Sequence, residues 1–283
     1  MKLGKVVAWE FRRAARNKQF ILMTVLLPGI IGLAGGGVAL FGGAADGAAR
    51  TPAGPPPPFL VPMIFAMILF IGAFLNGTMT LYGVVKEKAN RVVEIVLSSI
   101  SSRELMAGKI LGQGLAGLIQ VVLWGAVAAA VISALLPGLS WHLTPVQWVS
   151  YPLYFALGYL LISALFATIG AGMKDVQSSG AQFLVGMIPY VPMMFVAGII
   201  QQPNATWIRL ASFFPPFTPG MMMIRVSIAP IPWWEVAGTI LVLGLFDLLF
   251  IRVAARAFET AMLMYGKNAT LRELWRWGVR RRR

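Results

Sequence analysis

Charge lies almost wholly in the gaps between long apolar runs, with Lys109, Glu235 and Asp247 as the exceptions, and no other feature limits the fold of this chain so strongly. The runs lie at about 20–42, 59–82, 109–136, 149–171, 179–200 and 232–251. Each supplies the ~20 residues that a helix needs to cross a bilayer. Charged residues make up 12% of the chain and hydrophobic ones 58%, whereas a soluble domain carries about 25% charged residues. The pattern predicts an all-α polytopic membrane protein with six transmembrane helices, because a helix satisfies its own backbone where no water is available.

The most patterned charged gap is YGVVKEKANRVVEIVLSSISSRELMAGK, residues 82–109, with 83–108 as the loop between spans two and three. Val92, Val93, Ile95, Val96, Ile100 and Leu105 are apolar. Glu87, Arg91 and Glu94 share the opposite side through three- and four-residue spacings. Glu87 and Arg91 form a favourable acid-first pair, but a helix this short needs a surface to pack on. Two readings fit: a solvated connector, and a cytosolic helix that docks on a partner subunit.

Residues 1–19 are basic, with Lys2, Lys5, Arg12, Arg13, Arg16 and Lys18. Leu3, Val7, Phe11 and Ala14 fall along one side of a helix, with Lys5, Arg12 and Arg16 roughly opposite. Trp9 and Glu10 fit this pattern poorly. The expectation is a helix lying in the cytosolic interface, rather than a signal peptide. Span one is followed by GAADGAARTPAGPPPP at 43–58, a short outer linker stiffened by Pro55–Pro58.

Polar residues inside the spans are the candidate functional groups of the membrane part. In the 20–82 unit, Asn76, Thr78 and Thr80 lie in span two; Gln113 and Gln120 lie in span three. They supply helix–helix hydrogen bonds or substrate contacts, with Asn76 and Gln120 as candidate path residues. The unit 109–200 holds spans three to five. Pro189 and Pro192 each remove a backbone donor and predict a bend in span five that shapes a gate or cavity. Residues 203–230 are apolar but broken by Pro215, Pro216, Pro219 and Gly220. A re-entrant or interfacial helical pair on the outer side is expected there, sheltered by protein. Asp247 lies inside span six, 232–251, as half of a salt bridge, with Arg252 or with a neighbouring helix, or as a cation contact. The tail 252–283 is basic and ends in four arginines.

Six spans place 1–19, 83–109, 172–176 and 252–283 on one side, and these segments carry 21 of the 24 basic residues. The positive-inside rule then makes both termini cytosolic. Basic residues beside spans suit anionic lipid headgroups better than nucleic acid. Cysteine is absent and His142 is the single histidine, which excludes thiolate chemistry and a histidine metal cluster within one copy. There is no GxxxxGK[ST] and no HExxH, so no catalytic residue, cofactor or metal site is expected in this chain. From the residues alone the reading ends at a transporter, a channel or a non-transporting scaffold. A secondary transporter is not favoured by any clear inverted repeat.

Three segments carry a resemblance: VVKEKANRVVEIVLSSISSRELMAGKILG at 84–112, SFFPPFTPGMMMIR at 212–225 and MLMYGKNATLRELWRW at 262–277. In this order, with the hydrophobic pattern between them, the chain resembles the permease subunits of ABC-2 type exporters, nearest the sodium-efflux branch. The resemblance implies a multi-pass protein of a prokaryotic plasma membrane. It implies a partnership with a second permease, identical or related, and two cytosolic ATPase subunits that bind ATP and Mg. It also implies that Glu87, Asn90, Arg91 and Glu94 lie on the segment coupling the membrane part to the ATPase. Many members of that branch carry a large external domain where this chain has only 43–58. The exported substrate therefore stays open among sodium, a hydrophobic drug, a peptide and a lipid.

Overall fold

A computed structural model describes residues 2–18, 20–22, 24–26, 60–89, 99–135, 144–173, 187, 191–262 and 273. The elements are α1 (Lys2–Ala15), α2 (Leu60–Ala89), α3 (Ser102–Leu135), α4 (Pro145–Gly172), α5 (Val191–Met194), α6 (Val196–Gln201), α7 (Thr206–Ser212), α8 (Thr218–Ile228) and α9 (Trp233–Met262). No strand occurs among the described residues. Three helical stretches there are long and apolar enough to cross a membrane: Ser102–Val127, Pro145–Gly172 and Trp233–Ala261. The span expected at 20–42 falls largely outside the described residues, as does the first half of that expected at 179–200, whose second half holds the short helices α5 and α6.

All four long helices run past the expected span ends, α9 the furthest, to Met262 rather than 251. α2 continues to Ala89 rather than stopping at 82, and α3 starts at Ser102 rather than 109. The early start of α3 has a local cause. The Glu104 backbone N–H donates to Ser101 Oγ at 3.2 Å, and the Ser101 N–H donates back to Glu104 Oε2 at 3.0 Å. This capping box satisfies donors that the first helical turn leaves free. α4 begins the same way: the Gln147 N–H donates to Thr144 Oγ1, the Thr144 N–H donates to Gln147 Oε1, and Pro145 opens the helix.

α4 is the central helix. One side meets α2, where Gly77 leaves room for the Phe166 ring and Gly170 lies against the Leu81 backbone. Phe166 in turn stands edge-on to Phe74, with centroids 5.6 Å apart. Another side meets α9, where the Tyr154 hydroxyl lies 2.8 Å from Thr239 Oγ1 and donates to the Val236 carbonyl at 3.3 Å. α3 crosses through Gly117, whose missing side chain is replaced by the buried Tyr159 phenol. Small residues do this because lipid gives helices no hydrophobic reason to associate, so close approach and dispersion must. The outward faces are apolar, as at Leu115, Ile119 and Val122 of α3 and Leu241, Leu245 and Leu248 of α9.

Two ends can be told apart. α1 packs at one end, here the lower, beside the end of α2 and the start of α3. At the upper end α6, α7 and α8 form a small unit around Ile199, Ile208, Met221 and Ile224. Exposed Trp148, Trp207, Trp233 and Trp234 ring that end, as indoles do at a membrane interface.

The Gly117 crossing gives a stability test. Gly117→Ala places a methyl on the Tyr159 phenol and should cost about 1–3 kcal/mol by overpacking. Tyr159→Phe alone should be tolerated, since the hydroxyl is buried without a hydrogen-bond partner. Thermal unfolding in detergent, followed by tryptophan fluorescence, checks both. Equal unfolding temperatures for wild type and Gly117→Ala would refute the close crossing.

Candidate functional site

The charged residues of the lower end converge on Lys109. α1 lies across α3 where Gly108 and Gly112 leave α3 without side chains. A Cβ on Gly108 would run into Val6, and one on Gly112 would stand 2.7 Å from both Glu10 Cβ and the Val7 carbonyl oxygen. This close crossing carries Glu10 under the membrane-facing helices, beside Lys109. Lys109 Nζ donates to Glu10 Oε1 at 2.6 Å and to Glu87 Oε1 at 2.8 Å. The side chains of Lys109 and Glu10 are both 0% exposed, and that of Glu87 is 15% exposed. Arg13 closes the cluster from the solvent side. It donates to Glu87 Oε1 at 2.6 Å and lies 5.2 Å from the centroid of the Trp9 ring. Two carboxylates face two cations, so the group is neutral as a whole, which burial demands.

The neighbouring residue Lys88 does a different job. Its Nζ donates to the carbonyls of Ala171 and Met173 at 3.1 and 3.2 Å, where α4 ends. A cation suits the unpaired carbonyls and negative dipole end of a helix. Half-burial draws the Lys88 pKa below the ordinary lysine value. The end of α2 is therefore tied to α1, α3 and α4 together.

Above this cluster the polar residues of α2 and α3 meet one another. The amide of Asn76 donates to Gln120 Oε1 at 2.7 Å and to the Gly72 carbonyl at 3.0 Å. The Thr80 hydroxyl lies 2.6 Å from Gln113 Oε1 and 3.0 Å from the Asn76 carbonyl oxygen. Thr78 is turned back to the Phe74 carbonyl of its own helix. Asn76 and Gln120, expected either to make helix–helix hydrogen bonds or to line the substrate path, are thus brought together and bonded to each other.

The other expected residues are spread through the fold. Pro192 is buried in α5, and the helix is interrupted three residues later at Phe195, before α6 begins. Pro215 and Pro216 are buried in the turn between α7 and α8, while Pro219 and Gly220 open α8. Asp247 lies on the buried stripe of α9 that includes Thr239 and Leu243. It is 3% exposed, and neither of its oxygens has a hydrogen-bond partner. The salt bridge expected with Arg252 is absent. Five residues along a helix turn the arginine away from the buried stripe, and Arg252 is exposed. Asn90, Arg91, Glu94, Pro189 and His142 lie outside the described residues.

A second charge network, missed from the sequence, holds the upper unit. Arg225 is fully buried. Its Nε donates to the Pro203 carbonyl at 2.8 Å, and its terminal nitrogens donate to Ser212 Oγ at 3.0 Å and Glu235 Oε2 at 2.9 Å. Arg209 pairs with the other Glu235 oxygen and stands over Trp234. The lower network was missed too. Its readable signals were the Gly108–Gly112 spacing and the poor fit of Glu10 to the apolar pattern of its helix.

A family described as ABC-2 family transporter protein matches residues 57–256. The chain is 26% identical over 218 residues to the uncharacterized protein MJ1024 of Methanocaldococcus jannaschii, covering 76% of this chain and 53% of the relative. It is 28% identical over 232 residues to the uncharacterized protein YhaP of Bacillus subtilis, covering 75% and 53%. The chain thus spans about half the length of the curated relatives it matches.

The ion cluster yields a prediction about the α1 crossing. Lys109→Ala leaves Glu10 buried without a counter-charge and should cost about 3–5 kcal/mol. The double variant Glu10→Gln/Lys109→Gln removes both charges and should recover much of that loss. Fluorescence-detected size exclusion after graded heating measures both. A double variant no more stable than Lys109→Ala would show that the pairing is not what seats α1.

Proposed function

Because the chain belongs to the ABC-2 family of transporter proteins, we propose that it is the permease subunit of an ATP-driven exporter, working with a separate cytosolic ATPase. The family match across 57–256 carries this reading. The proposed assembly has two permease subunits, identical or related, and two ATPases that hold ATP and Mg. Each permease has six spans and cytosolic termini, and its substrate leaves by alternating access. The 203–230 segment is re-entrant or interfacial at the outer face. Lys5, Arg12 and Arg16, exposed on α1 beside Trp9, meet anionic headgroups. Sodium is the first substrate to test.

The docking point is the 83–108 loop. α2 and α3 both extend past the span limits and bracket residues 90–98, so an ATPase seated there acts on two helices at once. Arg91 and Glu94 are the proposed contacts, because a carboxylate–guanidinium pair adds geometric selection to a docking surface. Asn90 belongs to the same segment. Glu87 supports the segment through its bonds to Lys109 and Arg13.

Two experiments test this reading. Co-purification with a candidate ATPase, followed by native mass measurement, should give two copies of each chain. In that complex Glu94→Ala should reduce substrate-stimulated ATP turnover and export while membrane insertion stays normal. Glu94→Cys should crosslink to the ATPase. Normal export in Glu94→Ala, with no crosslink from the cysteine variant, would reject the coupling assignment.

Asp247 gives the test of sodium. A buried carboxylate without a protein partner is a group that a cation would meet if the bundle opened beside it. Asp247→Asn should therefore weaken sodium efflux from loaded vesicles while assembly persists. Unchanged efflux and unchanged sodium dependence would remove Asp247 from the cation path.

A further inference from the structure

We propose that α1, the lower half of α2 and the facing half of α3 move as one rigid lever. In this lever Asn76, Thr80, Gln113 and Gln120 are positioning residues that fix the register of α2 on α3, rather than substrate contacts. The proposal rests on the reading of the chain as an ATP-driven permease and deepens it. It names what the coupling loop pushes on.

The register of the two helices carries the argument. Asn76, Thr80, Gly83 and Glu87 form one stripe of α2, spaced as a helix repeats along one face. Gln120, Gln113 and Lys109 form the matching stripe of α3, running the other way. The cross-links follow in order along the interface: Asn76 to Gln120 at 2.7 Å, Thr80 to Gln113 at 2.6 Å, and Lys109 to Glu87 at 2.8 Å. Gly83 sits between the last two, where an added Cβ would lie 3.6 Å from Gln113 Nε2 and 3.7 Å from Lys109 Nζ. Eleven residues of α2 span about 16 Å, roughly half the hydrocarbon thickness. The seam therefore runs from the ion cluster far into the membrane part.

Such a seam resists sliding. A slip of one residue moves one helix by about 1.5 Å along the other and misaligns all three bonds together. The groups involved are buried or half-buried, so a broken bond leaves polar atoms without water to replace it. Close packing opposes the same motion, since a Cβ on Gly72 would approach Val121 Cγ2 to 2.7 Å. The amide of Asn76 and the carbonyl oxygen of Gln120 are engaged with each other. Both N–H groups of the Asn76 amide are engaged, with Gln120 and the Gly72 carbonyl, so a substrate would have to displace one of them to accept from it. α1 joins the body at the same place, through Gly108, Gly112 and the Lys109–Glu10 bond. A push on residues 90–98 is then delivered to three helices without being lost in relative motion between them.

The absence of cysteine in the chain makes a direct test available. Asn76→Cys/Gln120→Cys is made in the full permease and assembled with its ATPase in vesicles. ATP turnover and export are measured before and after a short bifunctional methanethiosulfonate crosslinker, which reductant removes. Thr80→Cys/Gln113→Cys is a second pair, should the first fail to insert. The uncrosslinked pair lacks the native bond, so the lever predicts that crosslinking raises export per ATP back towards the wild-type ratio and does not block export. Loss of export on crosslinking, restored by reductant, would overturn it, because α2 and α3 would then have to slide. A separate arm asks what the bonds do. Asn76→Leu and Gln113→Leu should lower export per ATP hydrolysed by about two- to thirtyfold while basal hydrolysis persists. A structural role alone would lower the amount of protein and leave that ratio unmoved, which counts against the proposal. If the uncrosslinked complex neither hydrolyses ATP nor exports, the reading as an ATP-driven permease fails, and the lever fails with it.

Discussion

The lower end of the molecule depends on the burial of one ammonium group. Lys109 sits on α3 where that helix enters the packed interior, with no exposed surface left on its side chain. An unpaired charge in such a place costs several kcal/mol even after relaxation. One carboxylate from α2 and one from α1 meet it, and Arg13 offsets the surplus negative charge. α1 is thus more than an amphipathic helix resting on a surface. It brings one of the two counter-charges, and Gly108 and Gly112 exist in α3 as the space through which that counter-charge arrives.

The same rule explains the upper end and the middle. Arg225 is as buried as Lys109, and Glu235, Ser212 and the Pro203 carbonyl meet its donors. Between the two ends the polar side chains of α2 and α3 satisfy one another. Helices in lipid gain little by hiding apolar surface from each other, since lipid tails are equally apolar. Contact is won by glycines that let backbones approach and by polar pairs that would otherwise be unsatisfied. The residues that look out of place in an apolar sequence are, for this reason, the ones that specify which helix lies against which.

The sequence discloses these features unevenly. Apolar runs longer than a bilayer disclose α2, α3, α4 and α9, because length and hydropathy are local properties. The proline cluster at 215–219 discloses a break, and the break falls between α7 and α8. Partners across the fold are another matter. Glu10 and Lys109 are 99 residues apart, and periodicity states only which side of a helix a residue occupies. Glu10 was informative because it violated the pattern of α1, and the glycines beside Lys109 supplied the matching half. The start of α3 is legible in Ser101 and Glu104, whose capping box carries the helix past the point where hydropathy ends. That Asn76 would pair with Gln120 was not legible, although a helix–helix bond was one of the two roles open to each. Either amide suits a substrate or another helix, and only register decides between them.

Asp247 marks where this logic stops. Among the described residues, Glu10, Lys109, Arg225 and Glu235 are buried charged groups with partners, whereas both oxygens of Asp247 have none. Its position is not peripheral. Thr239, eight residues earlier on the same stripe of α9, meets Tyr154 of α4, so Asp247 faces into the bundle about two turns below that contact. α4 carries no charged residue along its length, and the cations of the lower cluster are already engaged with Glu10 and Glu87. The networks at the two ends satisfy most of their own donors and acceptors and hold their helices in fixed register. The carboxylate of Asp247 has no such internal bond. If the two ends move as bodies, the part of the interior whose polar group gains by a change of surroundings is the part that lies between them.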